Sequence, residues 1–332
     1  FSSRRRHTRY ISVTGVQTCA LPILQTHSSQ DTHLSQTQIL NELSSIRDWL
    51  RYAVSRFEDS DVFFGHGTSN AYDEAVWLIF GFLHLPHDTI ENFLDAHLTS
   101  KEKKDLSFLI EKRINDKIPT AYLLNEAWLK DYKFYVDERV IVPRSLIAES
   151  LSENLYPWID NPEKIYSALD LCTGSGCLGI MMAHSFQNAM IDLVDLSEKA
   201  LQVAEINVNH YGLHDRIELI QSDLFNGLEG KKYDLIISNP PYVNQTSVDS
   251  FPMEFLKEPS MALGSGEDGL DHTIRIIHEA KQHLNDDGML IVEIGHNKEI
   301  LLKKFPELQF QWLDVSLGND FVFMLEKSQL PD

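Results

Sequence analysis

Beyond residue 165 short apolar runs alternate with helix-patterned stretches, and no other feature restricts the possible folds so tightly. The runs IYSALDL (165–171), AMIDLVDL (189–196), RIELIQ (216–221), YDLIIS (233–238) and GMLIVEIG (288–295) have the length and apolar density of buried strands. Helical patterns follow Gly176, Ser197, Gly269 and His296. Such alternation needs crossover connections, which set the strands parallel and place helices on both faces of the sheet. The last two runs, 310–315 and 321–325, are separated by only a few polar residues. That gap is too short for a crossover, so these two strands pair antiparallel at one edge.

The chain ahead of this alternation is helical in pattern. Ile46, Trp49, Leu50, Ala53, Val54 and Phe57 recur at intervals of three and four, predicting one amphipathic helix over 39–57. Further helices are expected over 71–85, stopped by Pro86, over 88–97, and over 100–116 with Leu106, Leu109, Ile110 and Ile114 on one side. Residues 25–118 then form a small helical domain. Aromatic and β-branched residues over 127–142 read as a strand pair around a Lys130-Asp131 turn. This hairpin (119–145) joins the helical front to an α/β domain over 146–332.

With 49 Asp plus Glu against 29 Lys plus Arg, the formal charge is −20. A surface this acidic repels phosphate backbones and suits a basic protein partner. The length fits about two domains at about 150 residues each. Three cysteines make no disulfide framework, which points to a reducing compartment, and no run approaches the ~18 to 20 apolar residues of a membrane span. Residues 1–24 differ sharply from the rest, with four arginines and no carboxylate. They read as a non-native, adapter-derived leader without fixed structure, a transit peptide being the alternative. Without them the balance is 25 basic against 49 acidic residues, a charge of −24.

Strand 165–171 runs through Asp170-Leu171-Cys172-Thr173-Gly174-Ser175-Gly176-Cys177-Leu178-Gly179 into a helix. Gly174, Gly176 and Gly179 fit G-x-G-x-x-G in the strand, turn, helix context, where side chains would keep a nucleotide-type cofactor off the backbone. A tight turn needing positive φ would use glycine as well. Asp195 ends the next strand, 19 residues after Gly176, placed to accept hydrogen bonds from ribose hydroxyls. NAD and S-adenosylmethionine both carry those hydroxyls. Asp170 before the loop, and Asp223 at the end of the third strand, favour S-adenosylmethionine. A carboxylate at the loop mouth repels a pyrophosphate but accommodates, through water, an ammonium and a sulfonium, and Asp223 can accept from an adenine amino group. Each aspartate also has a reading as a helix N-cap.

Asn239-Pro240-Pro241-Tyr242 follows strand 233–238, at the sheet edge where open α/β folds bind ligands. Methyl transfer from a sulfonium needs an in-line nucleophile about 3 Å away, and a planar amide nitrogen is a poor one because its lone pair is delocalised. Acceptors that hold its N–H groups leave the lone pair aimed at the methyl. Asn239 offers a side-chain oxygen and the Pro240 carbonyl a second acceptor, the proline pair stiffens the loop, and Tyr242 can stack on the planar group. A Pro-Pro turn capping a strand is the plainer reading. The histidines and cysteines show no metal-ligand spacing, and there is no G-x-S-x-G elbow.

Together, residues 170–176, Asp195, Asp223 and 239–242 resemble the protein glutamine-N(5) methyltransferases. Segments 119–145, 169–177 and 238–244 most resemble the branch acting on large-subunit ribosomal protein three. The likeness continues in WLRYAVSRF (49–57), FFGHGTSNAYDEAVW (63–77) and GEDGLD (266–271), so it spans 36–330 and none of 1–24. It implies a Rossmann-like class I methyltransferase, with a mostly parallel seven-stranded sheet, an antiparallel edge hairpin and, over 25–118, a small helical domain that recognises the substrate. It implies a cytoplasmic enzyme holding S-adenosylmethionine with Asp170, Cys172, Thr173, Gly174, Ser175, Gly176, Asp195, Asp223, Leu224 and Asn239. The target is a glutamine side-chain amide of the ribosomal protein, with Asn239, Pro240 and Tyr242 catalytic and Pro241 and Arg144 as further substrate contacts, Arg144 either orienting the substrate or pairing with a neighbouring carboxylate.

Three positions depart from the family pattern: Lys257-Glu258-Pro259 where His-Glu-Pro is common, His296 in place of an asparagine, and a final turn reduced to Leu317-Gly318-Asn319-Asp320. These bear on loop detail and substrate affinity. A release-factor glutamine methyltransferase shares the clamp, but 134–139 and 142–145 favour the ribosomal branch. A nucleic-acid adenine methyltransferase also uses Asn-Pro-Pro-Tyr, and the acidity opposes it; a non-catalytic interaction module would not need loop and clamp together. The substrate is expected free or in an assembly intermediate, with neither membrane nor sequence-specific nucleic-acid binding.

Overall fold

The computed structural model describes residues 35–244, 247 and 250–332; the leader read over 1–24 lies outside them. Helices α1 (Gln36–Glu42), α2 (Ile46–Glu58), α3 (Ala71–Phe82) and α4 (Ser100–Asn115) make the front. The single helix expected over 39–57 is two. Ser44 and Ser45 interrupt it because both donate their backbone N–H to the Asp48 carboxylate while the Ser45 hydroxyl accepts from Asp48 N–H, a reciprocal cap that starts a new helix. The helix expected over 88–97 shrinks to a 3-10 turn at Ile90–Asn92. Its backbone is engaged elsewhere: the Ala96 and Leu94 carbonyls accept from Ile46 and Arg47, and Leu98 donates to Ser44. Trp49, Phe57, Leu78, Ile79, Leu106 and Ile110 fill the space between these helices.

A short helix α5 (Thr120–Leu124) leads into the hairpin of β1 (Ala127–Leu129) and β2 (Tyr132–Phe134), which turns at Lys130-Asp131. The hairpin ends at Phe134 rather than running to 142. Past that point the buried Asn207 side chain takes the place of a strand partner: its oxygen accepts from Tyr135 N–H at 2.7 Å, and its amide donates to the Tyr135 carbonyl at 3.0 Å and the Ser175 carbonyl at 2.9 Å. One side chain therefore ties the hairpin to the glycine loop.

The remainder comprises α6 (Ile147–Leu151), β3 (Ser167–Leu171), α7 (Cys177–Ser185), β4 (Met190–Asp195), α8 (Glu198–His210), β5 (Ile217–Gln221), β6 (Tyr233–Ser238), α9 (Asp271–Ala280), β7 (Leu284–Glu293), α10 (Lys298–Lys304), β8 (Gln311–Trp312) and β9 (Val322–Glu326). The sheet order is β5-β4-β3-β6-β7-β9-β8. Pairs from β5 to β7 are parallel, and β9 runs antiparallel to both β7 and β8. This is the mostly parallel seven-stranded sheet with an antiparallel edge hairpin of the Rossmann-like class I methyltransferases. Both faces are buried: Ala168, Leu235, Ile237 and Ile291 enter one apolar layer, and Leu169, Ile236 and Leu290 the other. Burial on both sides is why the strands read as continuous apolar runs. The chain reverses its direction of strand addition between β3 and β6, so the carboxyl ends of these two strands frame a crevice. The glycine loop and the Asn-Pro-Pro-Tyr segment leave those ends.

Candidate active site

Asp170, at the end of β3, holds the glycine loop down. Its Oδ2 accepts from the Thr173 hydroxyl at 2.6 Å and the Gly179 N–H at 3.0 Å, while Oδ1 is buried without a partner. Burial raises its carboxyl to about 7 in spite of these bonds. A Cβ on Gly179 would stand 1.9 Å from Leu193 Cδ2, so only glycine lets α7 lie this close to the sheet. Asp195, at the end of β4, accepts from Gly174 N–H and Ser197 N–H at 2.9 Å each, and burial keeps its carboxyl above the ordinary range. Both oxygens retain lone pairs for a ligand.

Above the loop is a cavity bordered by Cys172, Gly174, Asp195, Asp223, Leu224 and Asn239, with Val194, Leu196 and Ala200 as apolar walls. Asp170, Thr173, Ser175 and Gly176 do not border it; they brace the loop from behind. Asp170 thus sits beneath the loop rather than at its mouth, because its carboxylate is needed to satisfy the turn. Asp223 borders the cavity, but one of its oxygens receives Arg275 at 2.8 Å. Burial and the neighbouring aspartates push the Cys172 thiol upward, which keeps it protonated.

A second pocket, bordered by Asn239, Pro240, Tyr242, Val243, Phe251 and Phe255, adjoins the first. Asn239 stands in the wall common to both, and its Oδ1 is buried with no hydrogen-bond partner. Pro241, read as a substrate contact, faces the loop cavity instead. Tyr242 is held from three sides. Its hydroxyl donates to Glu293 at 3.2 Å, its carbonyl accepts from Asn297 at 2.8 Å, and its ring lies where a Cβ on Gly295 (φ +56) would come within 2.7 Å. Burial and the neighbouring Glu293 push the phenol upward, so it remains a donor. Glu293 is anchored in turn by the Ser145 hydroxyl at 2.6 Å and Leu146 N–H at 2.8 Å.

Arg144 also borders the second pocket, but its guanidinium is not free for a substrate. It forks onto Glu258 at 2.6 and 2.8 Å and lies over the Phe255 ring at 5.4 Å. Glu258 further accepts from Val142 N–H at 2.9 Å and has His66 Nε2 at 3.5 Å. Four residues earlier, Glu254 receives Arg113 at 3.0 Å and Phe63 N–H at 2.9 Å. The fully buried Arg113 also donates to Glu74 and to the Phe63 carbonyl, both at 2.7 Å. Two carboxylates therefore pin the pocket wall carrying Phe251 and Phe255 to the helical front and to the segment that follows the hairpin. The sequence reading missed Glu254, Glu258, Glu293 and Arg113 as parts of the site. Glu258 stood in a segment already singled out and Glu293 in the strand run 288–295, but neither was read as part of the site.

Burial would raise the Glu258 carboxyl, but His66 and the Arg144 fork outweigh it and hold the group at about 2. Between its ordinary value of 4.5 and about 2, the unfolded chain takes up a proton that the folded chain refuses. Stability is therefore complete above that window and falls as pH falls through it. Glu258→Gln should flatten the acid limb of a stability-against-pH curve measured by denaturant titration; parallel curves for the two proteins would refute this.

A family model described as methyltransferase small domain matches residues 149–269, which include the glycine loop and the clamp. Over 293 residues the chain is 55% identical to the ribosomal protein uL3 glutamine methyltransferase of Neisseria gonorrhoeae, covering 88% of this chain and 98% of that protein. It is 48% identical over 289 residues to the protein of the same name from Bordetella pertussis, covering 87% and 97%. With that from Francisella tularensis it shares 42% identity over 295 residues, covering 89% and 94%.

Proposed function

Because the chain belongs to the ribosomal protein uL3 glutamine methyltransferase family, we propose that it methylates the side-chain amide nitrogen of a glutamine in uL3, with S-adenosylmethionine as the methyl source. The observation that carries this reading is Asn239, whose buried acceptor oxygen has no partner and stands between two adjoining pockets.

The loop cavity fits that cofactor. Space above Gly174 is open, since a Cβ there would meet nothing within 4 Å. Asp195 and Asp223 oppose a pyrophosphate and accept from hydroxyl and amino groups, and Val194, Leu196 and Leu224 offer apolar walls for an aromatic base. When bound, the cofactor supplies a methyl group made electrophilic by the sulfonium.

The chain's own residues prepare the acceptor. The Asn239 oxygen and the Pro240 carbonyl receive the amide N–H groups, which turns the nitrogen lone pair out of conjugation and toward the loop cavity. Tyr242, fixed by Glu293 and Gly295, closes the far side. Phe251 and Phe255 exclude water from the pocket. Arg144 acts through Glu258 to set the wall rather than to bind the amide.

The partner follows from charge. A surface of −20 attracts a basic ribosomal protein and repels RNA, so uL3 is captured free or in an assembly intermediate, in the cytoplasm, before ribosomal RNA covers its basic face. No helix among the described residues is long and apolar enough to cross a membrane. Labelled S-adenosylmethionine offered with uL3 and with a release factor tests the reading. Label should enter uL3, with kcat/KM falling as salt rises. Preferential labelling of the release factor, or a rate on uL3 indifferent to salt, would replace it.

A further inference from the structure

A cavity of about 820 Å³ lies between α3 and the β1–β2 hairpin, separate from both pockets at the clamp. Its walls are largely apolar and aromatic, with Val76, Trp77, Phe80 and Trp128 among them. Three polar atoms of residues lining it are buried without hydrogen-bond partners: the Trp77 indole Nε1 and both ring nitrogens of His66, of which Nε2 lies 3.5 Å from Glu258. An indole N–H can only donate, so the group that completes this site must carry an acceptor. Three carboxylates stand among the lining residues. Glu126 is occupied, with Lys133 at 3.3 Å and the Trp128 indole at 2.8 Å, and Asp73 accepts from the Asn70 amide. Asp88 is exposed and has no ion-pair partner among the described residues.

The packed rings of His66 and Phe255 lie between this cavity and the acceptor pocket. His66 lines the cavity, its ring centre is 4.3 Å from that of Phe255 in the acceptor-pocket wall, and its Nε2 faces the carboxylate that holds Arg144 there. An extended chain advances about 3.3 Å per residue. A polypeptide whose glutamine sits in the clamp therefore passes His66 and enters the larger cavity within a few residues.

Resting on the glutamine-methyltransferase reading, we propose that this cavity is the subsite for the substrate polypeptide flanking the methylated glutamine. A backbone carbonyl of the extended segment accepts from the Trp77 indole. A lysine or arginine of the basic substrate lays its aliphatic stem on the aromatic walls and sets its charge against Asp88. A peptide suits the cavity better than a compact metabolite, because it offers acceptors along its length and a cation at the mouth while remaining continuous with the acceptor pocket.

The test compares steady-state kinetics on whole uL3 and on a peptide trimmed to the few residues around its glutamine, using the full chain, Trp77→Phe and Asp88→Lys. The unaltered enzyme should show a higher KM for the trimmed peptide than for uL3. Asp88→Lys should raise KM for uL3 by about tenfold and Trp77→Phe by severalfold, with kcat unchanged and with no change in KM for the trimmed peptide. Equal effects on both substrates, or none on uL3, would overturn the subsite. Asp88 is exposed, so its variant decides the matter even if Trp77→Phe fails to fold. Methylation of neither substrate by the unaltered enzyme would overturn the methyltransferase reading and the subsite with it.

Discussion

Asn239→Ala should lower kcat on uL3 by about a thousandfold or more while S-adenosylmethionine binding weakens only a few fold. The asymmetry follows from position. Asn239 forms one edge of the loop cavity, whose other walls are untouched by the change, but it supplies the only side-chain acceptor oxygen in the acceptor pocket that is buried and unpartnered among the described residues. Alanine leaves the glutamine amide planar and conjugated, and water entering the vacated space would hydrate the N–H groups without orienting them. Single-turnover rates, together with calorimetric titration of the cofactor, separate the two effects. Near-normal turnover would refute the clamp, and loss of cofactor binding would reassign Asn239 to the loop cavity.

Arg113→Ala should cost about 3–5 kcal/mol of stability, because it leaves the buried carboxylates Glu74 and Glu254 facing one another without a cation. At this chain length the unfolding midpoint should fall on the order of 10 °C. The exposed pair Arg47–Asp95 is the control: its side chains are 56% and 86% exposed, so Asp95→Ala should change stability by about 1 kcal/mol at most. The Arg113 variant should also raise KM for uL3, since Glu254 then no longer fixes the segment that carries Phe251 and Phe255. Thermal unfolding of the three proteins, with kinetics of those that fold, checks both parts. An Arg113 variant as stable as the parent would mean that the helical front is not anchored through this ion cluster.

The α/β sheet was legible because both faces of the central strands β3, β6 and β7 are buried over 168–171, 235–238 and 290–293, so apolar continuity marked them, while the edge strand β5, half-exposed, was marked by its alternating RIELIQ pattern. The glycine loop and the Asn-Pro-Pro-Tyr segment were legible as motifs because each is contiguous, Gly174 to Gly179 and Asn239 to Tyr242, and both border the adjoining pockets. What stayed hidden depends on contacts between distant residues. Nothing near 88–97 announces that its carbonyls serve residues 46 and 47 instead of a helix. The fork from Arg144 to Glu258 spans 114 positions and the bond from Arg113 to Glu254 spans 141, beyond any local pattern. Asp170 illustrates the converse. Its place beside the loop was evident, but whether its carboxylate faced the ligand or the turn was decided by the Thr173 hydroxyl and the Gly179 N–H.

The most direct test of the central claim is fragment mass spectrometry of uL3 after incubation with the enzyme and S-adenosylmethionine. A single methyl group on the side-chain amide nitrogen of one glutamine, absent when Asn239→Ala replaces the enzyme, is the expected result. A methyl group on lysine, arginine or a backbone nitrogen, or an unmodified uL3, would contradict it.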